Sequence, residues 1–397
     1  MSGFLKTLIL LLAAQLFIAC SDEALHRPGL TDCNLENDTL WQTNSDSPLY
    51  TSILRKYTKR GIPGITLLVC DSSGIFIGSE GYADLSSRLP LQPCHISNLP
   101  GITDMMLAVT ALRLMEKGLM TPDDPIGRFI PDELLKKLDN GKQQIKIRNL
   151  LNQTSGFFDV TRSRDFQLNI MQNPVRTWFA DELLDFAENR DAAFEFRPAD
   201  TAGYSATNSI LLSIIVAQAS HIPHDLSMRS ELFSPLNMNN TRYYWHDALP
   251  ASGVVQGYGN LNGDGGLENI SHWNTGFGNG FNGIYSNIYD VYLFADALFS
   301  RKVLLSPATL GLMTQFHNDT IGGIQYGYGC VKEHFTFSGG STPAWGISGA
   351  DPGYSAGLYY FPVQDAIMVY IINTGYGLTQ ESTISLFRNS VAEIIGR

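Results

Sequence analysis

Strand-like segments lie at both ends of this chain, and this distribution constrains the fold more than any other feature. Near the start, ITLLVCD and IFIGSEGYAD are apolar runs joined by Ser72-Ser73-Gly74, a pattern typical of a β-hairpin. Near the end, GLYYFP and AIMVYIINT are rich in β-branched and aromatic residues. Between them, helical spacing and loops dominate. We therefore predict an α+β fold in which both chain ends build one antiparallel sheet.

The predicted folded domain comprises residues 46–397. Its sheet subdomain is expected from residues 46–118 and 276–397, and a mostly helical inserted subdomain from residues 119–275. Further helices are predicted over residues 52–60, over residues 288–299 and at the C-terminus, where ESTISLFRNSVAEIIG is amphipathic.

The first residues have the pattern of an export signal. One lysine precedes TLILLLAAQLFIA, an apolar run too short for a comfortable membrane span. Phe17-Ile18-Ala19 before Cys20 resembles a bacterial lipobox, so we expect residues 1–19 to be a signal peptide and Cys20 the lipidated first residue of the mature protein. The alternative is an ordinary signal peptide cleaved nearby. Residues 20–45 are expected to form a tether, and the protein to work at the bacterial cell envelope.

Composition narrows the classes of partner and cofactor. The net charge of −11 argues against a nucleic-acid surface, because such surfaces attract basic patches. We predict neither a metal nor another cofactor, since His221 and His224 lie in a Pro-broken loop without a third ligand nearby. An oxidising compartment permits two disulfides, in three pairings that the sequence leaves open, among Cys33, Cys70, Cys94 and Cys330.

Several segments in order resemble one family of hydrolases. They include GIPGITLLVCDSSGIFIGSEGYADL, LMEKGLMTPDDPIGRFIPD, IKIRNLLNQTSGFFD, FRPADTAGYSATNSILLSIIVAQAS and SGADPGYSAGLYYFP. Together they resemble the serine β-lactamase and penicillin-binding protein family, in the branch with class C β-lactamases, D-Ala-D-Ala carboxypeptidases and related esterases. The resemblance runs from about residue 50 to the C-terminus and implies that family's fold.

The resemblance also implies where a nucleophile and base would lie. In that family Ser-x-x-Lys begins a helix, and the amine takes the proton of the hydroxyl one turn away. Counting back from Glu116-Lys117-Gly118, which ends the predicted helix, this motif falls on residues 101–104, which read GITD. Gly101 thus replaces the nucleophile and Asp104 the base. No Ser-x-x-Lys occurs elsewhere in the chain.

The two other motifs implied by the resemblance are also altered. Tyr-x-Asn falls on Tyr204-Ser205-Ala206, so the phenol is kept and Ala206 replaces the amide. Lys-Thr-Gly or His-x-Gly falls on Ile347-Ser348-Gly349, which keeps Gly349 and places Ile347 at the cationic or donor position. These losses together predict a degenerate site without a catalytic residue that can be named.

Three literal motif matches elsewhere are predicted to be structural. Tyr285-Ser286-Asn287 precedes a predicted helix and is expected to cap it. Lys59-Arg60-Gly61 is expected to end a helix. Ser355, in GYSAG, has a strand after it where a nucleophile elbow needs a helix.

A ligand site is expected to survive at the altered positions. The backbone amides of Gly101 and Ala350 match those that bind a carbonyl oxygen in the family, and such a notch needs no side chain. We predict ligand contacts from these two residues and from Asp104, Tyr204 and Ser348. Because Asp104 replaces a cation, the site is expected to prefer a neutral or cationic ligand, unless burial keeps the carboxyl protonated. Alternatively, Asp104 has only a structural role, because a carboxylate is favourable in the first turn of a helix.

Three functional hypotheses follow. The first is a lipoprotein pseudoenzyme that binds a small molecule, a peptide or an envelope protein. The second is a hydrolase that uses Asp104 as general base and Tyr204 as proton donor on an ester or amide. The third is a structural lipoprotein whose cleft has filled in, partly with Ile347. An open cleft with convergent polar groups counts against the third.

Overall fold

The computed structural model describes residues 43–138, 145–188, 202–317, 324–375 and 378–397. An eight-stranded antiparallel sheet has the strand order β3-β2-β1-β13-β12-β11-β10-β9. Its strands are β1 (Gly64–Asp71), β2 (Gly74–Asp84), β3 (Leu89–Pro90), β9 (Gln325–Tyr326), β10 (Val331–Phe337), β11 (Gly340–Asp351), β12 (Tyr354–Phe361) and β13 (Ala366–Ile372). Five short strands form two smaller sheets: β4 (Ser97–Asn98), β5 (Arg242–Tyr243), β6 (Tyr258–Gly259), β7 (Glu268–Asn269) and β8 (Ile284–Ser286).

The helices lie on both faces of the large sheet and in the region between its two halves. They are α1 (Ser47–Thr58), α2 (Ile102–Glu116), α3 (Asp132–Lys137), α4 (Ile147–Leu151), α5 (Arg164–Gln172), α6 (Ala180–Asp185), α7 (Ala206–Ser220), α8 (His224–Met228), α9 (Ile288–Ala295), α10 (Pro307–Met313) and α11 (Leu378–Ile395). π-Helical turns extend α8 and α9.

The chain ends meet at the centre of the sheet. β1 pairs with β13 from Ile65 opposite Ile372 to Cys70 opposite Ile367. Side chains alternate between the two faces of a strand, and here both faces are covered by helices. Leu67 packs into the core with α1 and α11, whereas Leu68 packs into the core with α2 and α9. The α+β prediction, with the sheet built from both chain ends, is confirmed.

Helix α2 is the central helix of the molecule. Its residues are buried on all faces, as expected for a helix that is apolar all round. It contacts α7 and the β11 and β12 strands. After its last residue, Gly118 takes a positive φ of 73°, a conformation that glycine adopts readily and that ends helices. This packing fixes the start of α2 against the sheet.

Several predicted boundaries differ from the structure. Helix α1 starts five residues earlier than expected, because Ser47-Pro48 supplies a proline in the first turn. The predicted tether residues Thr43 and Asn44 already belong to the fold, since both backbone amides donate to the carbonyl of Ile75. The signal peptide, Cys20 and the rest of the tether lie outside the described residues. Among the described helices, none is both long and apolar enough to cross a membrane.

Of the cysteines for which the sequence permits disulfides, Cys94 is bonded, whereas Cys70 and Cys330 are not. Cys70 and Cys330 are buried and carry thiols, so none of the three pairings forms. Their surroundings explain this, because Tyr292 donates to the sulfur of Cys70 at 3.5 Å and Cys330 donates to the carbonyl of Met313 at 3.3 Å. Cys94 is disulfide-bonded, and its partner lies outside the described residues.

Candidate functional site

The start of α2 lies directly against strand β11. A Cβ atom built on Gly101 would be 2.7 Å from the backbone nitrogen of Gly349 and 2.8 Å from the carbonyl carbon of Ser348. A Cβ atom built on Gly349 would be 2.5 Å from the nitrogen of Gly101. Gly101 also has a positive φ of 76°, which costs side-chain-bearing residues energy. Backbone therefore fills the place that the resemblance assigns to a nucleophile.

Asp104 is buried one turn further along α2. Its carboxyl oxygen Oδ1 accepts hydrogen bonds from the Ser209 hydroxyl at 2.5 Å and from the Tyr204 hydroxyl at 3.2 Å. Burial raises the pKa of Asp104 to about 6, although these two hydrogen bonds favour the charged form. Its Oδ2 atom is buried and has no hydrogen-bond partner in the described part of the chain.

Asp104 does not line the main cleft of the protein. It lines a separate small cavity of about 30 Å³, with room for roughly one water molecule. Tyr204, Tyr326, Val331 and Ile347 line both this cavity and the main cleft, so the two spaces adjoin along these four residues. Tyr204 is 43% exposed, whereas Ala206 is fully buried and lines neither space. Asp104 is therefore not part of the lining of the main cleft and lies in the neighbouring cavity.

The main cleft has a volume of about 680 Å³ and is open. Six residues at or beside the altered motif positions line it: Gly101, Tyr204, Ile347, Ser348, Gly349 and Ala350. Aromatic rings contribute much of the remaining wall, from Phe166, Trp273, Phe281, Tyr326 and Tyr359 as well as Tyr204. The hypothesis of a filled-in cleft is therefore wrong. Ile347 closes the small cavity and leaves the main cleft open.

One edge of β11 is open inside this cleft. β11 pairs with β12 along its last residues, from Trp345 opposite Tyr360 to Asp351 opposite Tyr354. On its other side, the described pairing with β10 ends at Gly346 opposite Val331. Residues 347–351 all line the cleft. They present backbone donors and acceptors that no described strand uses.

A polar network beside β11 was not found by the sequence analysis. The Tyr359 hydroxyl lies 2.9 Å from the Ser348 hydroxyl and 2.6 Å from Oε2 of Glu333. Arg388 donates to the same Glu333 oxygen at 2.5 Å and lies over the rings of Phe335 and Tyr359. Burial raises the pKa of Tyr359 well above its usual value. No local motif joins these residues, because they come from four separate elements, β10, β11, β12 and α11.

Two further acids line the cleft. Burial raises the pKa of Asp159, whose Oδ1 accepts from the backbone of Thr161 and of Ala206. Burial also raises the pKa of Asp351 to about 7. Its Oδ1 accepts from the Thr275 hydroxyl at 2.7 Å and from the Asn282 amide at 3.2 Å. An acid inside the SGADPG segment was the available signal for Asp351, and sequence reasoning missed its burial.

The literal motif matches occupy structural positions. Asn287 caps α9 through a hydrogen bond from the backbone of Asp290 at 3.0 Å. Ser355 lies within β12 and donates to the carbonyl of Thr374 at 2.8 Å, with no helix after it. His224 packs against the rings of Tyr243 and His246, and burial lowers its pKa to about 3.

Comparisons with known proteins agree with this architecture. The family model described as Beta-lactamase matches residues 50–392. Penicillin-binding protein 4* of Bacillus subtilis (strain 168) is 27% identical over 187 residues, which are 45% of this chain and 38% of that protein. PbpX of the same strain, which is named as a penicillin-binding protein, is 24% identical over 284 residues, or 70% of this chain and 66% of that protein. The chain thus spans less than two thirds of either relative.

A solved structure shares the fold over almost its whole length. The D-amino acid amidase of Ochrobactrum anthropi SV3, in complex with L-phenylalanine, has a TM-score of 0.74 and 23% sequence identity. The similarity covers 88% of this chain and 98% of the amidase. At this identity, the likeness establishes a common fold.

Proposed function

The chain belongs to the Beta-lactamase family, and from that premise we propose that it is a ligand-binding member that forms no acyl-enzyme. Its relatives are serine hydrolases by name, with penicillin-binding proteins and an amidase among them. The proposed role is non-covalent binding of a small molecule or short peptide in the main cleft, or of an envelope protein that inserts such a group.

The contact between Gly101 and Gly349 carries this proposal. Removing the nucleophile from a comparable hydrolase costs roughly 10⁶ in kcat. Here the nucleophile position has neither a hydroxyl nor the space for one, because a Cβ atom on Gly101 would be 2.7 Å from the backbone of Gly349. The cleft itself persists at about 680 Å³, so loss of chemistry is compatible with continued binding.

The cleft favours a neutral or cationic ligand with apolar groups. Its described charged side chains are Asp159, Glu333 and Asp351 on the acidic side and Arg162 on the basic side. Aromatic rings offer apolar contact area and faces that attract cations. An anionic β-lactam would meet three acidic side chains and one basic side chain, Arg162, which supports weak binding of that class.

Export and lipid anchoring are also part of the proposal. They rest on the apolar run before Cys20 and on the lipobox-like Phe17-Ile18-Ala19. Growth with an alkyne-labelled fatty acid should label the wild-type protein and leave Cys20→Ala unlabelled. Membrane fractionation should release that variant. Equal labelling of both proteins would count against an anchor at Cys20.

A hydrolase that uses Asp104 and Tyr204 is the second candidate. The hydrogen bond between their side chains, at 3.2 Å, favours it, and a pKa of about 6 suits a general base. The position of Asp104 stands against it, because Asp104 lines the neighbouring small cavity and does not line the main cleft. Screening wild type and Asp104→Ala against a broad set of esters and amides distinguishes this hydrolase from the binding protein. Turnover by wild type that is abolished in Asp104→Ala would establish the hydrolase.

The central test is intact-protein mass spectrometry after incubation with excess benzylpenicillin. An active penicillin-binding relative serves as the positive control. We expect no added mass on this protein. A stable penicilloyl adduct on a serine would refute the proposal.

A further inference from the structure

We propose that Asp351 forms an ammonium-binding subsite in the main cleft, and that the natural ligand carries a primary amine close to an aromatic or apolar group. This inference rests on the proposed function, because it assumes that the cleft binds a ligand without acylation. It assigns a role to a residue outside the altered motifs.

The Asp351 carboxyl group lines the cleft, and only one of its two oxygens accepts hydrogen bonds from the described residues. The side chain is only 6% exposed, yet it lines the cleft at the end of β11. Both of its hydrogen-bond donors, Thr275 and Asn282, bind Oδ1. Oδ2 accepts no hydrogen bond from the residues that the structure describes. This oxygen is open to the cleft, and a ligand ammonium there would supply the donor that the described residues do not.

Charge also singles out Asp351 among the acids of the cleft. Glu333 is paired with Arg388 at 2.5 Å. Arg162 stabilises the charge of Asp159. No basic side chain contributes to the environment of Asp351, where only hydrogen bonds from Thr275 and Asn282 oppose the effect of burial. The uncompensated negative charge of the cleft therefore lies at Asp351.

The surroundings of Asp351 suit an amine with an apolar substituent. Thr275, Asn282 and the aromatic rings of Trp273 and Phe281 line the same cleft. Aromatic faces attract cations and provide apolar contact area. Gly349 and Asp351 are two residues apart on β11, so they share a face and lie about 7 Å apart along the strand. The ammonium would thus lie near Gly101, at the position that the resemblance assigns to the nucleophile, because Gly101 contacts Gly349.

The titration of nearby groups agrees with this role. Burial raises the pKa of Asp351 to about 7, so an approaching cation would favour its charged form. The neighbouring tyrosines, Tyr285 and Tyr354, have pKa values raised by burial and further by the Asp351 charge. Both phenols are therefore neutral near neutral pH, and neither supplies a second negative charge to bind the ligand ammonium.

The test is isothermal titration of the full chain with two matched probes, phenethylamine and 2-phenylethanol, at about pH 8, where the Asp351 carboxyl is mostly charged. The two differ by an ammonium in place of a hydroxyl. We expect the amine to bind wild type at least about ten-fold more tightly, as a charged hydrogen bond provides. Asp351→Asn, which keeps the size of the side chain, should remove that preference and leave alcohol binding within about two-fold.

Glu333→Gln is the competing variant, because Glu333 is the other acid beside β11. The proposal requires the amine preference to survive this change. If Glu333→Gln loses the preference for the amine and Asp351→Asn keeps it, the proposal is overturned. Thermal unfolding of each variant shows whether it is folded, and the comparison of the two probes on wild type needs no variant.

Two further outcomes separate this subsite from the proposed function. Equal binding of amine and alcohol to wild type, without a penicilloyl adduct, would reject the subsite and leave a non-covalent binding protein. Absence of amine binding rejects the subsite as well. A penicilloyl adduct rejects the proposed function whatever the probes do.

Discussion

The hydroxyl of Tyr204 donates a hydrogen bond to the carboxyl of Asp104, 3.2 Å away, and so joins a half-exposed phenol to a fully enclosed acid. The phenol faces the main cleft as well as the small cavity, whereas the acid faces the cavity alone. A ligand that moves Tyr204 would therefore change the environment of Asp104 without touching it.

Asp104→Asn should stabilise the protein in alkaline solution. Because the folded-state pKa of Asp104 is raised to about 6, the folded state holds the proton more tightly than the unfolded state. The stability that this acid contributes is full below about pH 4 and is lost as pH rises to about 6. The raised pKa corresponds to a change of about 3 kcal/mol in the free energy of unfolding between low and high pH. The Asp104→Asn substitution should therefore raise the free energy of unfolding by roughly 1–3 kcal/mol at about pH 8 and change it little at about pH 4.5.

Urea unfolding at the two pH values measures this change. Asp264→Asn, in an exposed loop, is the control and should have the same effect on the free energy of unfolding at both. A benefit of Asp104→Asn that does not depend on pH would contradict the argument.

Gly101→Ala should destabilise the protein more than Gly118→Ala. Both glycines have similar positive φ, 76° and 73°, but a Cβ atom on Gly118 meets nothing within 4 Å. The second variant therefore measures the backbone cost alone. In Gly101→Ala, the clash of the new Cβ atom with Gly349 should increase the loss of stability by about a further 1–3 kcal/mol. Equal losses in thermal unfolding would mean that the α2 start and β11 separate easily.

Ser348 should not react with a fluorophosphonate probe, although its hydroxyl lines the cleft. Its partner is the Tyr359 hydroxyl at 2.9 Å, and burial keeps the pKa of that phenol far above neutral. Among the residues that the structure describes, the hydrogen-bond partners of Ser348 are phenols, Tyr359 and Tyr370, whose pKa values burial raises, so neither is a base that removes the serine proton. Gel fluorescence beside an active serine hydrolase checks this. Labelling that disappears in Ser348→Ala would reveal a nucleophile that the altered motifs do not predict.

Arg388→Met should cost about 2–4 kcal/mol, because it leaves Glu333 without its cation in a partly buried position. The double variant with Glu333→Gln should recover part of this loss, as expected for residues in one network. Denaturant unfolding of the two single variants and the double variant provides the coupling energy. Strict additivity would show that Arg388 acts mainly through its packing on Phe335 and Tyr359.

Local patterns were sufficient to predict the sheet and the cleft wall along β11. Continuous apolar runs identify β1 and β13, and the order of segments implies that both chain ends share one sheet. Motif positions likewise indicated residues such as Gly101, Tyr204 and Ser348, which line one cleft. The prediction of the sheet needs only periodicity and chain order, whereas the motif positions come from the resemblance to the β-lactamase and penicillin-binding protein family.

Packing decided what the sequence could not. Asp104 lines a neighbouring small cavity instead of the main cleft, and the two spaces share Tyr204, Tyr326, Val331 and Ile347. Asp351 meets Thr275 across 76 positions of the chain, without a motif to signal the pair. The pairing of the cysteines stayed open, because their number does not reveal that Cys70 and Cys330 lie in the core.

The open edge of β11 has a bearing on self-association. An unpaired strand edge on a protein surface is a template for a strand of another molecule and a common origin of aggregation. Here the unpaired residues, 347–351, lie within a cleft whose lining includes residues of α5 such as Phe166 and Ile170. The open strand edge is therefore part of the cleft wall, where a bound ligand would cover it.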